Sequence, residues 1–245
     1  LPLTANIKQG KGSARAWLNI ENQQVQSMTA DIATQAITIQ FKGTPDPLAL
    51  QSINGRVELA TIEGGLTIST KNLRFQTADG LKWPQGNIKV SKVKGSGQQT
   101  ETGHIEADQV DLAIVSQIAS RLPLGDAARA QLLSLQPHGI IKSLNASYEG
   151  SIEKPSQLNA KGQLDNLSFL PQATQNINEI ARPGLEGASI GFDFDLNAGS
   201  AVIQIKNGKL HFPGVWEDPT VEVENLSTEL KWQLTDSPSG QQIKI

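Results

Sequence analysis

Apolar and polar residues alternate with a period of two along most of this chain, and this pattern constrains its fold more than any other feature. The most regular example is IGFDFDL at residues 190–196, in which the large apolar residues stand two positions apart. Successive side chains of a β-strand point to opposite faces, so each strand has one apolar face and one polar face. Clean alternation is typical of antiparallel sheets. The sequence therefore predicts a mainly β protein.

Short turn signals separate the alternating segments, which favours consecutive strands joined by hairpins. The apolar face of such a sheet must be removed from water by a second sheet, by helices or by an apolar ligand. Since few helices are predicted, we expect one long antiparallel sheet that curls along its length into a taco-like form, either a closed core or an open groove. The turn signals are Asn54-Gly55, Glu63-Gly64-Gly65, Asp79-Gly80, Ala198-Gly199-Ser200 and Asn207-Gly208.

One segment, residues 111–135, has helical rather than strand spacing. Its apolar residues stand three or four apart, Pro123 interrupts the run, and Asp126 is placed to cap a second helix. A third possible helix carries Ile177 and Ile180. The sequence therefore predicts two or three short helices inserted in the sheet. The first predicted helical stripe contains Leu112, Val115, Ala119 and Leu122, and the second contains Leu132, Leu133 and Leu135.

Composition excludes several classes of function. The net charge of -3 over 245 residues, without basic runs, argues against a nucleic-acid partner. The absence of cysteine excludes disulfides and thiolate metal sites. The histidines His104, His138 and His211 lack the spacing of metal ligands. We therefore expect neither a metal nor another cofactor.

The sequence contains no recognisable catalytic motif, such as a nucleophile elbow, a zinc-protease helix or a phosphate loop. The closest candidate is the pair Asp193 and Asp195, which share a strand face and could act as the two carboxylates of a glycan hydrolase. They alternate with phenylalanines, however, which is the pattern that a solvated outer face produces. We expect that the protein is not an enzyme.

A weak internal repeat places a polar residue before an apolar one, usually with a second apolar residue two positions later. Its spacing is irregular, so it does not define a solenoid. Any alternating strand that follows a turn would look similar, and both interpretations stay open. The segments are 71–75, 109–112, 165–169, 209–212 and 224–228.

Five short motifs follow one another along the chain: ADQVDLA at 107–113, RLPL at 121–124, LQPHG at 135–139, RPGLEGA at 182–188 and GKLHFPGVWEDP at 208–219. In this order they resemble the YhdP family, within the AsmA-like superfamily that also includes TamB. The resemblance spans most of the chain. It implies a protein anchored in the inner membrane of Gram-negative bacteria, with a long periplasmic β-structure that forms a hydrophobic groove for phospholipids moving between the inner and outer membranes.

On this basis we expect residues 1–245 to be a single segment of a larger periplasmic β-groove region, with residues 111–135 as a helical insertion within it. The expected partners are phospholipid acyl chains and other envelope proteins. A non-catalytic structural or interaction β-sandwich of the cell envelope is the alternative, in which the apolar face is closed core. Abundant small residues favour the groove. The residues predicted to line it are Ile190, Phe192, Phe194, Leu196, Ile203, Ile205, Leu210, Phe212, Leu230 and Trp232.

Overall fold

The computed structural model describes residues 5–95, 100–151, 154–172, 181–237 and 240–245. Thirteen strands form its framework. They are β1 (Ala5–Glu21), β2 (Gln24–Phe41), β3 (Leu48–Ile62), β4 (Gly65–Thr77), β5 (Lys82–Gly86), β6 (Ile88–Val93), β7 (Thr102–Asp111), β8 (His138–Ser151), β9 (Lys154–Phe169), β10 (Gly184–Asp195), β11 (Ala198–His211), β12 (Thr220–Ser237) and β13 (Gly240–Lys244). Between β7 and β8 lie α1 (Leu112–Gln117), a 3-10 turn (Ala119–Arg121) and α2 (Asp126–Leu135).

All the strands belong to one antiparallel sheet, in which the strands follow one another in chain order except at β5. That strand is a side strand paired with β4, which also pairs with β6. This confirms the mainly β class, the long antiparallel sheet and the short inserted helices. The sheet is neither closed nor strongly curled, so its curl is weaker than the taco-like form that we expected. A physical reason is that the helices cover part of the apolar face, which reduces the need for the sheet to cover itself.

Residues with left-handed backbone interrupt several of the strands. Asn72 in β4 and Asn166 in β9 have φ of 52° and 54°, and the pairing register shifts beside both. Asparagine adopts this conformation more readily than most residues, and an extra residue at such a bulge bends the strand locally. These two asparagines are the second residues of two segments of the weak repeat. Comparable positive φ values occur at Ala36, Ser143 and Asn207.

The helical insertion begins where the sequence predicts. The Asp111 carboxylate accepts a hydrogen bond from the Ile114 backbone N–H at 3.1 Å and so caps α1. The expected cap of α2 was wrong: Gly125 occupies the N-cap position, and Asp126 is the first helical residue, bonded to Arg129 at 2.8 Å.

The buried side of the insertion agrees with the predicted stripe at Ala119 and differs from it elsewhere. Ile114, Ile118 and Ala119 are buried, whereas Leu112, Val115 and Leu122 are half-buried. Because α1 ends at Gln117 and a 3-10 turn follows, the helical spacing on which the stripe was based does not continue through residue 122.

The insertion packs on the apolar face of the sheet. Ile118, which is 2% exposed, lies in a cluster with Ile114 and Trp83, and Phe75 stacks on Trp83 with ring centroids 5.6 Å apart. The Arg121 guanidinium binds the Asp79 carboxylate at 2.7 Å. The insertion is therefore joined to the sheet by apolar packing and by an ion pair.

The far end of the insertion is also attached. Arg182 donates hydrogen bonds to the hydroxyl and the backbone carbonyl of Ser134, near the end of α2, at 3.0 and 2.9 Å. The third predicted helix, with Ile177 and Ile180, lies outside the described residues.

Candidate functional site: the apolar strip

The strand register aligns apolar and small residues into a row that crosses the sheet. Leu18 of β1 lies opposite Met28 of β2, Met28 lies opposite Leu59 of β3, and the series continues through every strand on the path to β12. At a strand separation of about 4.8 Å, the row is about 48 Å long. We call these eleven residues the apolar strip: Leu18, Met28, Leu59, Ile68, Val90, Ile105, Ala146, Ala160, Phe194, Gly199 and Trp232.

The residues next to the strip residues in sequence form a second row on the opposite face of the sheet. This outward row is mostly polar and charged, apart from Trp17 at the β1 edge. Its members are Trp17, Thr29, Glu58, Ser69, Lys89, Glu106, Asn145, Lys161, Asp193, Ser200 and Lys231. The sheet is therefore amphipathic across eleven strands, with one face apolar and one face charged.

The apolar strip is not enclosed. Val90 in its middle is 41% exposed, Leu18 is also exposed, and most of the other strip residues are half-buried. The described strands form one sheet rather than two packed sheets, so no second sheet covers this face. An apolar row of this length that remains partly accessible is unusual for a closed core, because burial of apolar surface is what stabilises a sheet face.

Aromatic rings gather at the β10–β12 end of the strip. The Phe194 ring centroid lies 5.8 Å from that of Phe192 and 6.4 Å from that of Trp232. Gly199 stands between Phe194 and Trp232 in the register, and a Cβ atom added there would overlap both side chains. The glycine therefore lets the two rings approach each other across β11.

Most of the predicted lining residues occupy this region. Ile190 lies opposite Ile203, and Leu230 lies opposite Ala201, whose other neighbour is Phe192. Together with Phe194 and Trp232, these side chains fall in inward-facing rows of β10–β12. Their contact with a ligand remains a prediction.

The other predicted lining residues lie in different settings. Ile205 is 1% exposed and packs in a cluster with Leu185 and Ala188, against which Leu210 also packs. Leu196 lies in the turn between β10 and β11. Phe212 directly follows β11, where Trp216 meets its ring edge-on with a centroid distance of 5.4 Å.

All the lining residues predicted from the sequence lie in β10 or after it, although the strip begins at β1. The alternation in the first nine strands was visible, but alternation does not reveal which residues of neighbouring strands stand opposite each other. The small residues Ala146, Ala160 and Gly199 were also missed as strip members, because a small side chain gives little periodic signal.

Asp193 and Asp195, the carboxylates considered for catalysis, have different settings in the structure. Asp195 accepts hydrogen bonds from the backbone N–H groups of Asn197 and Ala198 at 2.6 and 2.8 Å, and these bonds hold its pKa below the usual range. Asp193 is exposed on the outward row. Asp195 thus stabilises the β10–β11 turn.

Two of the three histidines contact a nearby glutamate. His104 and His211 contact Glu106 and Glu186 at 2.9 and 2.8 Å. Within the part of the chain that the structure describes, no cluster of three or more possible metal ligands occurs. None of the helices described has the length and apolar character needed to span a membrane.

A single open antiparallel sheet with one apolar and one charged face defines a class of β-protein that presents a long apolar surface in addition to its buried clusters. The chain belongs to the YhdP family, whose model, described as YhdP protein, matches residues 2–245. No curated protein and no solved structure matches this chain.

Proposed function

We propose that this chain is a section of a periplasmic hydrophobic groove that conducts phospholipids between the inner and outer membranes. The observation that carries the proposal is the apolar strip, an uninterrupted row of uncharged residues that crosses eleven strands. Family membership supports it, since the YhdP resemblance implies lipid transfer without covalent chemistry.

The physical reason for such a strip is the cost of exposing acyl chains to water. At about 0.8 kcal/mol per methylene, a lipid chain of ordinary length that crosses water unprotected costs on the order of 10 kcal/mol. A strip whose neighbouring residues are about 4.8 Å apart offers successive apolar contacts, so a chain can advance by one strand without leaving the apolar surface. The charged outward row keeps the opposite face of the sheet in water.

In this proposal the chain is a periplasmic part of a protein that is anchored in the inner membrane. Membership of the YhdP family supports the anchor and the compartment. Among the described residues, no helix is both long and apolar enough to span a membrane.

The test is native mass spectrometry of the 245-residue chain purified without added lipid. We expect phospholipid to remain bound in proportion to protein. Protein that is consistently free of lipid, even after incubation with phospholipid vesicles, would support the alternative of a structural or interaction module.

A further inference from the structure

A lysine and a glutamate lie beside the apolar strip on the same side of the sheet. Lys92 follows Val90 by two residues in β6, so its side chain shares the inward face, about 7 Å from Val90 along the strand. It interrupts a row that is otherwise uncharged: Thr61, Leu66, Lys92, Gly103, Tyr148 and Leu158. A lysine in this position requires an explanation, because an unpaired charge on an apolar face is unfavourable.

The direct partner of Lys92 is Glu101. The Lys92 Nζ atom lies 2.7 Å from the Glu101 Oε1 atom, and the two side chains are 25% and 32% exposed. The hydrogen bond from Lys92 to Glu101 raises the lysine pKa, so the ammonium group stays charged at neutral pH. The pair therefore presents a positive and a negative group, both partly open, at the margin of the apolar strip.

Tyr148 lies at the same margin of the apolar strip. Gly103 lies opposite both Lys92 and Tyr148, and a Cβ atom added to Gly103 would overlap the tyrosine ring and its hydroxyl oxygen. The ring therefore lies over the glycine, between the strands of Lys92 and Tyr148. Its hydroxyl is an additional hydrogen-bond donor at the same margin.

We propose that Lys92, Glu101 and Tyr148 form a headgroup site for zwitterionic phospholipids. The inference rests on the proposed function: acyl chains lie on the apolar strip, while the Lys92 ammonium and the Tyr148 hydroxyl bind the phosphate and the Glu101 carboxylate binds the headgroup amine. Because the Lys–Glu pair is neutral overall, it matches a headgroup with both charges. A purely anionic headgroup would place no cation against Glu101.

The chain contains a matched control on the opposite face of the same two strands. Lys89 of β6 and Glu106 of β7 belong to the outward row, with a nitrogen–oxygen distance of 3.6 Å and side chains that are 46% and 43% exposed. The test variant is Lys92→Met with Glu101→Gln, and the control is Lys89→Met with Glu106→Gln. Each variant removes both charges of a pair, so neither leaves an unpaired ion.

Each 245-residue chain is incubated with mixed vesicles that contain equal amounts of phosphatidylethanolamine and phosphatidylglycerol with identical acyl chains. Native mass spectrometry then measures the total lipid bound and the ratio of the two lipids. For the unmodified chain and the control we expect about a tenfold preference for the zwitterionic lipid, since one additional charge-assisted contact is of this size. For the test variant we expect the preference to disappear while total binding changes less than twofold.

The two readouts separate this inference from the proposed function. An unmodified chain that binds lipid without preference, or a test variant that keeps the preference, overturns the headgroup site but leaves the groove intact. Absence of bound lipid in every chain overturns the groove and the headgroup site together.

Discussion

Phe194→Asp places a carboxylate in the apolar strip where aromatic contacts are densest. The Phe194 side chain is half-buried, and its ring lies 6.4 Å from the Trp232 ring and 5.8 Å from the Phe192 ring, measured between centroids. If acyl chains pass over these rings, the new charge lies in their path. The substitution therefore tests the strip as a ligand surface.

The expected loss of stability follows from the partial burial. Removing a fully buried phenylalanine costs about 3–5 kcal/mol. Since Phe194 is only half-buried, and the new carboxylate reaches water through the open side of the strip, we expect a loss of about 2 kcal/mol in the free energy of unfolding. The domain should remain folded, whereas bound phospholipid should be largely lost, because an acyl chain cannot solvate the charge.

The assay combines urea unfolding followed by circular dichroism with mass spectrometry of extracted lipid. Asp193→Asn is the control, because Asp193 is exposed on the outward row; it should change stability by less than about 0.5 kcal/mol and leave bound lipid unchanged. Asp195 is unsuitable as a control, since its carboxylate accepts two backbone hydrogen bonds in the turn. A loss above about 4 kcal/mol would indicate closed core at this position. A folded Phe194→Asp chain that keeps its lipid would refute the role of the strip there.

Three further substitutions test the framework around the strip. Arg121→Ala should lower stability by less than about 1 kcal/mol near neutral pH. The pKa of Asp79 in the folded protein is about 2, below its ordinary value. The contribution of this ion pair should therefore be present above about pH 4 and be lost as the pH falls through 2, and urea titrations should show the difference between the two chains shrinking over that range. Asn166→Val should lower the free energy of unfolding by about 1–2 kcal/mol, because valine strains the left-handed backbone at this position. The control is Asn225→Val, which lies in the same Asn-Leu-Ser triplet but has no positive φ in the described structure, and it should cost less than about 0.5 kcal/mol. Equal losses in the two variants would contradict this account. Ile118→Ala should cost about 2–5 kcal/mol in urea unfolding, and a loss below about 1 kcal/mol would show that the insertion does not stabilise the sheet.

The strands and their order were predictable because period-two alternation and hairpin signals are local properties of the sequence. The series Ile190, Phe192 and Phe194 lies in β10 as expected, and the signals at Glu63-Gly64 and Asp79-Gly80 lie in turns between strands. The other hairpin signals were wrong: Asn54-Gly55 lies within β3, Asn207-Gly208 lies within β11, and Ala198-Gly199-Ser200 is the start of β11. The helical insertion was also predictable from a change of period. Its buried side was not, because the change from α1 to a 3-10 turn rotates the residues that follow. Ile118 is buried beside Trp83, whereas Leu122 packs against the same cluster and is only half-buried.

The candidate site could be predicted only in part. Alternation shows that each strand has an apolar face, but the continuous strip depends on pairings such as Val90 with Ile105, which are set by turns and bulges far from either residue. The left-handed residues at the bulges had a partial signal in the repeated asparagines, Asn72 and Asn166. Ala36 and Ser143 carry no comparable signal, since neither residue type strongly prefers this backbone conformation.

Site-specific photocrosslinking in cells tests the central claim most directly. A photoreactive phenylalanine analogue is introduced into the full-length protein at Val90 or Ile105 in the apolar strip, and in matched proteins at Lys89 or Glu106 in the outward row of the same two strands. After irradiation, mass spectrometry of the purified protein measures covalently attached phospholipid. We expect lipid adducts at both strip positions and none at the outward positions. Adducts at equal levels on both faces, or adducts at neither strip position in a folded protein, would contradict conduction along the strip.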